Sequence, residues 1–96
     1  MLVERITENT EYKMNKIYLS QKGNRKIYDA EFSCKTAKTA IKKMSQVKGL
    51  EWLWDIYLLG EFFANAEPNN ILSTEYDSYT IELFEDSVYI AVSIYE

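Results

Sequence analysis

Residues 15–32 alternate apolar and polar side chains on both sides of Gly23-Asn24, and residues 79–92 do the same on both sides of Glu85-Asp86. Period-two alternation is the pattern of a half-buried strand. The chain therefore has to fold as two hairpins, and whatever lies between them has to cover the apolar face they create. With Gly23 and Asn24 as loop residues, the first hairpin sets Leu19 opposite Tyr28, Ile17 opposite Ala30 and Asn15 opposite Phe32. Tyr18 then meets Asp29 on the other face, and Lys16 meets Glu31 as an opposite-charge pair on a solvated surface. In the second hairpin Leu83 faces Val88, Ile81 faces Ile90 and Tyr79 faces Val92. A four-residue loop over 84–87 keeps that register.

The intervening sequence changes period. In residues 35–48 Ala37, Ala40, Ile41, Met44 and Val47 fall on one helical stripe, while Lys35, Lys38 and Lys42 line an adjacent one. Ser33 or Thr36 suits the N-cap, and Gly49 suits the residue just past the end. A second helix is expected over 50–64. Trp52, Ile56, Leu59 and Phe63 share one face of it, but Trp54, Leu58 and Phe62 cover another. Pro68-Asn69-Asn70 ends the helical region, and residues 71–76 offer a further short strand. The expected fold is a single α+β domain: an antiparallel sheet of two hairpins, with four or five strands and two helices packed on one face. Residues 1–13 read as an N-terminal extension with no assigned element.

Several chemistries are poorly served by this composition. The 96 residues contain no histidine, which removes Ser-His and Cys-His nucleophile activation and the commonest metal ligand. Cys34 stands alone, so no internal disulfide forms, and the cytoplasm is the expected compartment. Gly23, Gly49 and Gly60 are isolated and make no phosphate-binding loop. The carboxylates Glu75, Asp77, Glu82, Glu85 and Asp86 match no metal-binding spacing. No cofactor, metal or catalytic residue is expected. Nor is a signal peptide or a membrane span, because the most apolar stretch, residues 50–66, is interrupted by Glu51, Asp55 and Glu61.

Charge supplies the most informative pattern. All 11 Lys and Arg lie in residues 1–48 beside 5 acidic residues, a net +6; residues 49–96 hold 10 acidic residues and no basic one, a net −10. Two surfaces follow. One is the lysine stripe of the first helix, Lys35, Lys38, Lys42 and Lys43, which is either a solvated helix face or a contact for nucleic-acid phosphates. The other is the C-terminal ribbon, where Glu75, Asp77, Glu82, Glu85 and Asp86 alternate with Tyr76, Phe84 and Tyr89. Its carboxylates either pair across the fold with the basic half or stay open for a basic protein partner, with the rings supplying buried contact area. The surplus apolar face of Trp52, Trp54, Leu58 and Phe62 is expected to mediate homodimerisation.

In size, charge and build, with features such as EYDSYTIELFED, the chain resembles the small acidic inhibitors of bacteriophages, the anti-CRISPR proteins and DNA mimics. That resemblance implies a non-catalytic protein that occupies the nucleic-acid-binding surface of a CRISPR effector or other defence nuclease, with carboxylates in the place of phosphates. It carries no functional residue over, because no motif is shared. Two other readings stand beside it: a small nucleic-acid-binding regulator using the lysine stripe, and an immunity protein or antitoxin with a basic cognate toxin.

Overall fold

The computed structural model describes residues 3–6, 11–59, 70–73 and 78–95. Among them run β1 (Val3–Arg5), β2 (Ile17–Lys22), β3 (Arg25–Phe32), α1 (Ala37–Met44), α2 (Trp52–Leu58), β4 (Asn70–Ser73), β5 (Ser78–Leu83) and β6 (Val88–Tyr95). The strands form one sheet in the order β1-β2-β3-β6-β5-β4. All neighbours are antiparallel except β1 and β2, which are parallel. The α+β class is as the alternation predicts. The sheet is wider than expected because residues 3–5 add an edge strand, with Val3 beside Ile17.

Both hairpin registers match the pattern: Leu19 pairs Tyr28, Ile17 pairs Ala30, Leu83 pairs Val88, Ile81 pairs Ile90 and Tyr79 pairs Val92. Gly23 takes φ +59° and Asn24 does not enter the left-handed region, the pattern of a two-residue turn with glycine first. The four-residue loop at 84–87 closes with a Phe84 N–H to Ser87 carbonyl bond of 2.9 Å. Two expected pairs, Asn15 with Phe32 and Lys16 with Glu31, do not form. The β2–β3 ladder stops at Ile17, because Asn15 turns to φ +65° and leaves strand geometry. Its N–H donates to the Glu31 carbonyl (2.8 Å), and its Oδ1 accepts from the Ser33 N–H (2.8 Å). Asn tolerates this conformation better than most residues, since its short polar side chain bonds locally.

The ladders fix which side chains share a face. Ile17, Ala30, Ile90 and Ile81 form one row; Leu19, Tyr28, Val92 and Tyr79 form the next; Phe32, Val88 and Leu83 form a third. These rows belong to one apolar cluster with Ala37, Ala40, Ile41 and Met44 of α1, Val47 and Leu50 of the connection, and Leu53 of α2. Thr36 caps α1 by accepting from the Thr39 N–H, and Gly49 turns the chain at φ +96°. Both helices are shorter than expected. Residues 45–51 are turns rather than helix, and α2 ends at Leu58, while the expected continuation beyond residue 59, with Phe62 and Phe63, lies outside the described residues.

Within α2 the buried side chain is Leu53, a position the periodicity did not single out. Trp52, Trp54 and Ile56 pack only partly against the core, and Leu58 and Leu59 are exposed. A helix apolar on nearly every side gives no unique inward direction, so tertiary contacts choose it. No helix among the described residues is long and apolar enough to cross a membrane.

Candidate functional site

The face of the sheet opposite the helices is where the two halves of the chain meet chemically. The β3–β6 ladder pairs Glu31 with Tyr89 and Asp29 with Ala91, and the β5–β6 ladder pairs Tyr89 with Glu82. Tyr89 therefore stands between Glu31 and Glu82, with Asp29 diagonal to it. Asp29 and Glu31 are two of only five acidic residues in the basic half of the sequence, and the fold sets them beside the acidic half. The seam concentrates negative charge.

This face is partly roofed. Residues 11–15 run across it above Tyr18, which is 1% exposed. The Tyr18 hydroxyl donates to the Glu11 carbonyl (2.8 Å) and accepts from the Lys13 N–H (2.8 Å), and the Tyr12 ring packs tilted against it at 4.7 Å. Between roof and seam lies a half-open cavity of about 350 Å³. Tyr12, Lys13 and Met14 line it from the roof, and Tyr18, Asp29, Glu31 and Tyr89 from the sheet. Lys13 is the one cation among the described lining residues.

Hydrogen bonding in the cavity is one-sided. Tyr89 donates to Asp29 Oδ2 (3.3 Å), and Ser87 Oγ donates to Glu31 Oε2 (2.9 Å). Asp29 Oδ1 is sealed from solvent and has no hydrogen-bond partner among the described residues. Burial pushes the Asp29 carboxyl above the ordinary carboxylate range, against the opposing pull of the Tyr89 hydroxyl and of its own backbone amide. Tyr89 is pushed up to about 12, first by burial and then by the Asp29 charge and the hydrogen bond to it, with Glu82 adding to the shift. The phenol remains a neutral donor at any physiological pH. It is therefore unsuited to nucleophilic or general-base chemistry.

The expected residues are distributed unevenly. Glu82 and Tyr89 belong to the seam. Phe84, Glu85 and Asp86 stand exposed at the β5–β6 loop. Glu75, Tyr76 and Asp77 lie outside the described residues. The Lys16–Glu31 pair expected on a solvated surface does not form: Lys16 binds Glu4 at 2.8 Å, tying β1 to the approach of β2, and Glu31 takes the Ser87 hydroxyl. Asp29, Glu31, Tyr12 and Tyr18 were not among the expected site residues. The first hairpin's register did place Asp29 and Glu31 outward, but nothing in the alternation indicated that β3 would lie beside β6.

The lysine stripe is partly engaged elsewhere. Lys35 approaches Asp86 at 3.6 Å, an exposed contact that joins the start of α1 to the acidic loop. Lys42 lies over the Trp54 ring (5.6 Å), which itself stacks on Tyr57, and Lys43 lies over Phe32 (5.5 Å). Lys38 is exposed. Among the described residues no group of three or more His, Cys, Asp or Glu side chains is arranged to hold a metal ion. No protein family, curated protein or solved structure matches the chain.

Proposed function

We propose that this protein is a non-catalytic binding module whose acidic, tyrosine-bearing sheet face docks on a basic protein surface. The observation that carries the reading is the convergence of Asp29, Glu31 and Glu82 around Tyr89, with acids from both halves of the chain on one face. Phe84, Glu85 and Asp86 stand exposed in the loop that follows Glu82. Charge of one sign speeds encounter with an oppositely charged partner, and desolvated tyrosines slow dissociation. In the manner of phage-encoded anti-CRISPR proteins and DNA mimics, the carboxylates would take the place of phosphates on a CRISPR effector or similar nuclease in the host cytoplasm.

The test is competition. Added to such a nuclease, the protein should displace bound nucleic acid in a mobility-shift assay, less effectively as salt rises. The double charge reversal Glu31→Lys and Glu82→Lys should abolish displacement. Unchanged displacement by that variant would sink the reading.

The nucleic-acid reading has less support, because three of its four lysines contact an acid or an aromatic ring of the same chain. An immunity protein with a basic toxin uses the same face and is distinguished only by the partner. Self-association through α2 is a separate proposal, resting on Leu58 and Leu59, 65% and 74% exposed beside half-buried Trp54 and Tyr57. A sedimentation mass of 11.3 kDa at high concentration would end it.

A further inference from the structure

We propose that the cavity beneath residues 11–14 is a receptor for a guanidinium group, and that its occupant is an arginine side chain of the protein partner. The inference rests on the reading above that this face meets a basic protein, and it names the anchoring contact. Three features of the cavity agree. Its volume of about 350 Å³ lies within the roughly 300–1,000 Å³ typical of ligand sites and is enough for one arginine side chain. Its walls include Tyr12 and Tyr89, with the buried Tyr18 behind Tyr12, and planar guanidinium groups stack on aromatic faces. Its polar wall is acidic: Asp29 receives one side-chain hydrogen bond, from Tyr89, and Glu31 one, from Ser87, while a carboxylate can accept several.

A guanidinium fits that wall better than the alternatives. A bare divalent ion needs several oxygen ligands, and no group of three candidate ligands is arranged to hold one among the described residues. A lysine ammonium is a strongly hydrated point charge and gains less from the rings. Guanidinium carries five N–H donors in a fixed plane, so one edge can serve Asp29 while the face lies on a tyrosine. Lys13 lines the same cavity and is exposed; its backbone, held by Tyr18, fixes the roof.

The probe is arginine capped at both ends, N-acetyl-argininamide, titrated into the full chain and followed by NMR of the tyrosine rings and the Asp29 amide. Saturable shifts are expected at Tyr12, Tyr18 and Tyr89, with the apolar, uncharged N-acetyl-norleucinamide giving none. N-acetyl-lysinamide should bind more weakly. Asp29→Asn and Tyr12→Ala, each checked for an unchanged fold by its backbone spectrum, should weaken the probe roughly tenfold or more. Tyr12 is 60% exposed, so its variant keeps the test open if Asp29→Asn misfolds.

Equal shifts from arginine and norleucine probes, or no shifts at all, overturn the proposal. Equal binding of the lysine probe overturns the guanidinium preference. Tighter binding of free arginine than of the capped form would make the ligand a metabolite and overturn the side-chain assignment. Nuclease displacement without probe binding defeats the pocket alone; probe binding without displacement by the protein defeats the docking function alone.

Discussion

The two faces of this sheet are built on the same backbone and obey the same alternation, yet they are held by different forces. On the helix side, rows of aliphatic and aromatic side chains meet α1 and α2 in one cluster whose centre is buried and whose margin, with Leu19, Leu83 and Trp54, is partly buried. On the other side, a single tyrosine is buried by a short irregular segment, and the remaining side chains form a charged seam with an open cavity. The first face is stabilised by apolar area removed from water, which is non-directional and tolerant of detail. The second depends on a few directed hydrogen bonds and on the tolerance of one asparagine for a left-handed backbone. Substitutions on the two faces should therefore fail in different ways.

The sharpest separation comes from truncating the core. Ile90→Ala or Leu53→Ala should destabilise by about 2–5 kcal/mol in denaturant unfolding, since both side chains are fully buried and leave a cavity. Tyr18→Phe keeps the ring but removes the hydroxyl that holds Glu11 and Lys13, and about 1–3 kcal/mol is expected. Its distinguishing mark is local: hydrogen exchange should accelerate in residues 11–15 well before the sheet responds. Should it slow or leave that segment unchanged, the roof is not held as described.

A smaller effect is expected at Asn15. Replacement by Val should cost about 1–2 kcal/mol for the left-handed backbone, in addition to the lost Ser33 contact, whereas Asn15→Gly should cost less because it keeps the conformation accessible.

The pH dependence of the charged face is smaller again but has a defined sign. Asp29 holds its proton more tightly in the folded state than in the unfolded chain. Its contribution is complete below the unfolded carboxylate value and is lost as pH rises through the raised folded value. Asp29→Asn should flatten that loss in thermal melts across the acidic range and be neutral to stabilising at pH 7. Tyr89 behaves alike at the other extreme: stability should fall from pH 10 toward about 12, as the unfolded phenol ionises while the folded one resists. The smallest effect belongs to Asp86→Ala. Lys35 and Asp86 are each 80% exposed at 3.6 Å, so the change should stay within about 0.5 kcal/mol. A larger loss would mean that the acidic loop is tied to α1 more firmly than its geometry suggests.

What could be read in advance divides along the same line. Local patterns reported themselves well: both hairpin registers and the Thr36 cap follow from residues a few positions apart. Gly49, expected just past the end of the first helix, instead turns the chain further on, because α1 already ends at Met44 with Ser45 as its C-cap. Period two tells which side chains share a face but not which strand lies next door. The neighbourhood of Glu31, Tyr89 and Glu82 therefore stayed hidden until β3 was seen against β6. Tyr18 illustrates a second limit, because its place on the polar face predicts exposure and only the path of residues 11–15 reverses that. In α2, excess apolar character obscured Leu53 instead of revealing it.

The strand order also bears on how the chain acquires its shape. β6 sits at the middle of the sheet, between β3 and β5, so residues 25–32 find their partner only some sixty positions later. Such distant pairing slows assembly and leaves a nascent hairpin with an open, sticky edge until residues 88–95 leave the ribosome. Production of this protein should thus depend more on that terminal segment, and on chaperones that shield its absent slot, than on any change at the periphery.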